Sequence, residues 1–274
     1  MRCGHAITRS RNGSMITLDE ICAGYPAALH DRSSFLLREY LQYRILQLIY
    51  RTAHARQLVF LGGTCLRLIH GNQRFSEDLD FDNLGLDAER LQELAELVGR
   101  GLEREGYQVE VEVRSRTAFR CKVRFPGLLF QQGLSGHAEQ RILIQFDTEP
   151  QHYTYTPVLR RLDKFDVSFS LPCCSLDLLL AQKCFAIMGR PRNKGRDFFD
   201  VVFLLGLNAS PDLDYLRERI HVNTLPELTE KLLAHCATLN MAEQAEDVRP
   251  FLFNAALAER VTNFPDIIRQ HWLT

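Results

Sequence analysis

Gly62-Gly63-Thr64-Cys65-Leu66-Arg67-Leu68-Ile69-His70-Gly71-Asn72-Gln73-Arg74-Phe75-Ser76-Glu77-Asp78-Leu79-Asp80-Phe81-Asp82 is the stretch on which the reading of the fold turns. Before it runs a short apolar segment, Gln57-Leu58-Val59-Phe60-Leu61, read as a buried strand. Thr64 is expected to cap a short helix reaching His70, Asn72 to Glu77 forms a polar connection, and Asp78 to Asp82 reads as a second strand. Side chains alternate along a strand, so Asp78 and Asp80 share one face while Leu79 and Phe81 share the other. Two carboxylates on one face repel unless a cation lies between them, and Mg²⁺ commonly takes one or two carboxylates together with substrate phosphates. Gly62 and Gly63 let backbone come close to a ligand, and the N–H groups of a helix start suit a phosphate. A turn, a cap and a solvated acidic edge would account for each piece singly. The strand–helix–strand context makes the combination point to a metal–nucleotide site.

The glycine pair with Thr64, the short helix carrying Leu66 and Leu68, and the string Arg74-Phe75-Ser76-Glu77-Asp78-Leu79-Asp80-Phe81 resemble the AbiEii/MenT-type nucleotidyltransferase toxins of the DNA polymerase β-like superfamily. The signature there is a Gly-Ser-like pair followed by D-x-D. Gly63-Thr64 stands in the place of Gly-Ser and keeps the hydroxyl. The resemblance implies an α+β fold: a nucleotidyltransferase-type mixed sheet with flanking helices in residues 1–170, then an all-α domain in 171–274.

A chain of 274 residues can bury a sizeable core, and 46% hydrophobic with 24% charged residues is ordinary for a globular protein. No apolar run reaches the roughly 18–20 residues of a membrane helix. The first residues, MRCGHAITRSRNGS, are polar and basic, read as loosely ordered to about residue 17 and without the features of a signal peptide. The eight cysteines form no C-x-x-C pair, which disfavours zinc; Cys65, Cys121 and Cys184 read as core residues, and a reducing cytoplasm fits. The net charge of −1 gives no global pull toward nucleic acid. Local basic clusters remain: Arg190, Arg192, Lys194 and Arg196, and also Arg160, Arg161 and Lys164.

Around this centre the periodicities predict long helices over 34–54 and 86–105, with Asp87 capping the second. Residues 107–114 and 117–125 alternate as a hairpin, with glutamates facing basic residues. Residues 141–147 read as a further strand, 151–163 as a polar connection and 164–171 as a short extended piece. From Ser175 the pattern is helical: 175–189, 196–207, 211–221, 225–239, 241–247, 250–262 and 265–272. Ser210-Pro211 and the Thr224-x-x-Glu227 capping box mark starts.

A third carboxylate is sought on 143–147. Gln145 and Asp147 share a face; the family often has an acid near Gln145, so either Asp147 completes the metal site or two acids suffice. Lys183 falls on the apolar stripe formed by Leu176, Leu180 and Ile187, where an ammonium needs an anion or water. Asp197 and Asp200, three apart in Arg196-Asp197-Phe198-Phe199-Asp200-Val201, share a helix face and suit a first turn. Lys183 followed by this string resembles the second motif block of the toxin family.

The resemblance assigns catalytic roles to Asp78, Asp80, Lys183 and Asp197, with Asp200 as the weaker candidate. It assigns nucleotide binding to Gly62, Gly63, Thr64, Arg74, Ser76 and Lys183, and metal binding to Asp78, Asp80 and Asp147. The expected enzyme uses Mg²⁺ or Mn²⁺ and an NTP and transfers NMP to RNA, with a tRNA end as the expected acceptor. It would be the cytoplasmic toxin of a toxin–antitoxin or phage-defence system, with a cognate antitoxin as partner and no membrane role. Rivals are transfer to a small molecule or a protein, and an inactive nucleotide-binding module. The basic loop 190–196 counts against a pocket for a cationic drug.

Overall fold

The computed structural model describes residues 16–115 and 119–273. Two expectations, on the first fifteen residues and on the hairpin turn with Arg116 and Thr117, lie outside them. The helices are α1 Leu18–Ala23, α2 Ser33–Tyr50, α3 Gly62–Leu68, α4 Ala88–Arg104, α5 Leu128–Gln131, α6 Leu176–Gly189 and α7 Gly195–Gly206. They continue with α8 Leu213–Ile220, α9 Leu225–Cys236, α10 Met241–Val248, α11 Glu259–Thr262 and α12 Phe264–Trp272. The strands are β1 Leu58–Leu61, β2 Leu79–Asn83, β3 Glu110–Ser115, β4 Phe119–Pro126, β5 Arg141–Glu149, β6 Val158–Lys164 and β7 Val167–Cys173. They form one mixed seven-stranded sheet in the order β3-β4-β5-β2-β1-β7-β6. The chain is thus α+β, with helices only from Leu176 onward among the described elements.

By packing it divides into two compact units. The first holds the described residues up to Leu58 with Glu77–Pro150 and Arg160–Leu171; the second holds Val59–Ser76, Gln151–Leu159 and Pro172 onward. In the first unit, β3 and β4 pair antiparallel, β4 and β5 antiparallel, and β2 and β5 parallel. One face carries Cys121, Val123, Phe125, Ile142, Ile144, Phe146, Leu79 and Phe81, all buried. Helices α2 and α4 pack against the strands. Asp87 caps α4 by accepting from Arg90 N–H at 2.9 Å. The expected glutamate–basic pairing on the hairpin is present on the opposite face: Arg124 reaches Glu112 at 2.6 Å and, from β5, Arg141 reaches Glu110 at 2.7 Å.

Three local expectations change. The 34–54 helix ends at Tyr50, and a 3₁₀ turn follows at Ala53–Gln57. The second half of the 151–163 connection is strand β6, joined to β7 through Phe165, whose φ of 56° sits in the left-handed region. Tyr25, Tyr40 and Tyr43 enclose the Phe165 ring with centroids 5.2–6.0 Å away, which holds that turn. The 250–262 helix is broken into 3₁₀ turns at Arg249–Phe251 and Ala255–Ala258 and the short α11. The cause is a long-range bridge. Phe75 N–H donates to Phe251 C=O at 2.8 Å and Phe253 N–H to Gln73 C=O at 3.1 Å, drawing 251–253 into an extended pairing.

In the second unit, α7 begins where α10 leaves no room for a side chain. A Cβ on Gly195 would lie 1.8 Å from the Gln244 carbonyl oxygen, a backbone atom. The Gly195 N–H, otherwise unpaired at a helix start, donates to Asp247 at 2.9 Å. Gly195→Ala should therefore lower stability by about 1–3 kcal/mol through overpacking, outweighing the roughly 1 kcal/mol helix-propensity gain. Thermal unfolding of the variant checks this; a melting temperature at or above wild type would refute the close approach.

Candidate active site

The polar residues that the sequence singles out gather into two groups, one in each unit. In the second unit, Ser175 caps α6 by accepting from Leu178 N–H at 3.2 Å, and the helix carries Lys183 inward. Its ammonium donates to Asp197 Oδ1 at 2.8 Å and lies 2.8 Å from Asp200 Oδ2. Asp197 also lies 3.2 Å from Arg190 Nη1. Asp200 is wholly buried and is the hub: it accepts from Arg74 Nε at 2.7 Å, Arg74 Nη2 at 2.6 Å and Asn72 Nδ2 at 2.8 Å. Arg74 is itself buried, and its Nη1 donates to Phe75 C=O at 2.9 Å. Its guanidinium is thus turned to Asp200, a partner that sequence reasoning missed. Gly63 makes room for it, since a Cβ there would fall 2.5 Å from Arg74 Nη2 and 3.0 Å from Ser76 Oγ.

The electrostatics follow. Burial would depress the Lys183 ammonium, but Asp197 and Asp200 more than offset this and hold its pKa above the usual lysine value. Burial would likewise raise Asp200, and Arg74 and Lys183 outweigh it, holding the carboxyl below the usual range. An ammonium has three donors, and two are engaged by Asp197 and Asp200. The expected cap at Thr64 is not made. The N-cap of α3 is Leu61, with no side-chain cap; Thr64 lies within the helix, fully buried, because Gly62, at φ 77°, already starts the turn. Of the basic loop, Arg190 faces Asp197 and Arg196 lies 4.4 Å over the Phe251 ring, while Arg192 and Lys194 are exposed.

In the first unit the alternation on β2 is as expected: Leu79 and Phe81 are buried, Asp80 is half-buried and Asp78, just ahead of the strand, is exposed. The approach to β2 is fixed by α2, where Gln42 donates to Glu77 C=O at 2.9 Å and Arg38 to the Glu77 carboxylate at 2.8 Å. Asp147 on β5 is the in-register partner of Asp80 on β2, and parallel in-register residues point to one face. Asp147 accepts from Gln145 at 2.9 Å and from Arg120 at 3.3 Å. Burial raises its pKa, opposed by Arg120 and Gln145. Among the described residues no three His, Cys, Asp or Glu side chains converge as a metal-binding group. The paired oxygen donors of Asp80 and Asp147 fit a hard divalent ion that fills its remaining positions with water and phosphate.

The fold is that of nucleotidyltransferases. The nucleotidyltransferase toxin MenT4 of Mycobacterium tuberculosis H37Rv is similar at TM-score 0.55 and 20% identity, over 93% of this chain and 90% of that one. JHP933 from Helicobacter pylori is similar at TM-score 0.51 and 17% identity over 86% and 92%, and a putative nucleotidyltransferase from H. pylori at 0.52 and 17% over 86% and 95%. No curated protein sequence matches. The chain belongs to the AbiEii family: the family model for the nucleotidyl transferase AbiEii toxin of type IV toxin–antitoxin systems matches residues 44–266. It is a nucleotidyltransferase of that toxin family.

The buried network has a pH signature. A carboxyl with a depressed folded pKa contributes stability above its unfolded pKa of about 3.9 and loses it as pH falls through the folded value. Lys183, raised, contributes fully below about 10.4 and loses it only above that. Asp200→Asn leaves Arg74 and Lys183 without their shared counter-charge and should cost about 3–5 kcal/mol at neutral pH. Denaturant unfolding against pH should show this gap constant above about pH 4 and narrowing below it. A gap unchanged down to pH 2 would show that Asp200 carries no depressed pKa.

Proposed function

We propose that the chain binds an NTP with Mg²⁺ or Mn²⁺ and transfers NMP to an RNA acceptor, with a tRNA end as the acceptor class, as a toxin held in check by a cognate antitoxin. The observation that carries the proposal is the in-register pairing of Asp80 with Asp147 in a chain of the AbiEii family. In this reading an acceptor hydroxyl attacks the α-phosphorus. The new P–O bond forms as the bond to the bridging oxygen breaks, and pyrophosphate leaves. Asp147, in register beside Asp80, takes the hydroxyl proton. Asp78, Asp80 and Asp147 would hold the metal, which when bound neutralises charge developing on the phosphates. Lys183 offers its third N–H to a phosphate, and Asp197 and Asp200 keep it charged and oriented. In this reading Gly62, Gly63, Thr64 and Ser76 form the nucleotide side; Thr64, wholly buried, has a supporting role there. Arg74 supports Lys183 through Asp200.

A division near residue 170 into catalytic and helical domains belongs to the same proposal. No helix among the described residues is long and apolar enough to cross a membrane, and a cytoplasmic site of action is part of this reading.

Incubation with each labelled NTP, total RNA and total protein tests the acceptor. Label should enter RNA, vanish on chelation and return with Mg²⁺ or Mn²⁺. Asp80→Ala should abolish transfer and relieve growth arrest on expression without a partner. Asp147→Asn should slow transfer by about 10²–10⁴-fold, while Gln145→Ala should do far less. Growth arrest persisting in Asp80→Ala would sink the enzymatic toxin reading.

A further inference from the structure

The face of the first unit's sheet that bears Asp80 and Asp147 continues sideways as a row of cations. In register across the strands stand Asp80 on β2, Asp147 on β5, Arg120 on β4 and Arg114 on β3. Strands lie about 4.8 Å apart, so Arg120 and Arg114 stand one and two strand spacings from Asp147. One row along, Lys122 stands in register between Gln145 on β5 and Glu112 on β3, whose carboxylate is taken by Arg114 and Arg124 at 2.6 Å each. We propose that this face, through Arg114, Arg120 and Lys122, seats the phosphodiester backbone of the RNA acceptor beside the two carboxylates.

Three observations carry it. Arg114 and Arg120 are directly opposed across β3 and β4, and each leans on a single acid, Glu112 at 2.6 Å and Asp147 at 3.3 Å, which leaves their remaining N–H groups to a further anion. Both are more than half exposed, at 68% and 52% of the side chain, so the opposition is not forced by packing. Glu112 occupies Arg114 and Arg124 together, each at 2.6 Å, with the charge-assisted geometry that a phosphate oxygen would use. The row also ends at the carboxylates, so a strand lying along it brings a terminal hydroxyl toward Asp147. The inference rests on the RNA reading above and adds to it the surface that holds the acceptor, which differs from loop 190–196.

The test uses the full-length protein, a labelled single-stranded RNA of mixed sequence and a salt series, with NTP binding titrated separately. In Arg114→Gln/Lys122→Gln the slope of log affinity against log salt should shrink by about 1.4, about 0.7 for each lost phosphate contact on a single strand. NTP affinity should be unchanged. Glu112→Gln, which releases two arginines, should tighten RNA binding and steepen the slope. Unchanged slope and affinity in both variants, with wild type still labelling RNA, would overturn the surface and leave the RNA reading standing. Parallel loss of NTP and RNA affinity would also overturn it, by moving these cations to the triphosphate. A wild-type protein that labels only protein would overturn both.

Discussion

Asp200 is the constraint on which the second unit depends. A carboxylate with no access to water must be matched by donors and by charge, or its burial costs several kcal/mol. Arg74 supplies two donors, Asn72 one and Lys183 an ammonium at 2.8 Å. The partners come from two distant parts of the chain, Asn72 and Arg74 from the segment after α3 and Lys183 from helix α6, while Asp200 itself is on α7. Satisfying one buried charge therefore fixes where three pieces of backbone must lie. The charges balance as well, with Arg74 and Lys183 against Asp197 and Asp200, so the cluster can stay dry while Arg190, at the surface, touches it through Asp197.

That requirement reaches the glycines. Gly63 reads in the sequence as a gap for a ligand, yet the nearest atoms to its missing Cβ belong to Arg74 and Ser76. The gap admits the guanidinium on its way to Asp200. Gly195 does the same for helix packing, letting α7 start against the backbone of α10 and so present Asp197 and Asp200 inward. Two positions that look permissive in the sequence are among the most restricted in the fold.

What was legible in the sequence was whatever repeats with a local period. The faces of β2 to β5, the core roles of Cys65, Cys121 and Cys184, the cap at Asp87 and most of the C-terminal helices could be read from alternation and spacing. Burial pushes the Cys121 thiol up to about 12, in keeping with a core role. The capping box of Thr17 and Glu20 is equally written there, as Thr-x-x-Glu. Pairings between distant residues were not legible. Nothing local ties Arg74 to Asp200, 126 residues away, or Phe75 to Phe251, and those contacts decide that Arg74 faces inward and that 250–262 is not one helix. Strand β6 escaped for a related reason: as an edge strand it has only Leu162 fully buried and little alternation to show.

Gln145 and Asp147 show what register adds to composition. Both residues point to the same face, and a sequence offers no reason to prefer either. Register places Asp147, not Gln145, beside Asp80. Gln145 then contributes differently: its amide N–H donates to Asp147 Oδ2 at 2.9 Å, while Arg120 holds Oδ1 at 3.3 Å from the next strand. A second acid at position 145 would repel Asp147 and raise its pKa further. A glutamine orients it instead, without adding charge, while Lys122, its in-register neighbour on β4, helps Arg120 to oppose the rise in the Asp147 pKa that burial causes.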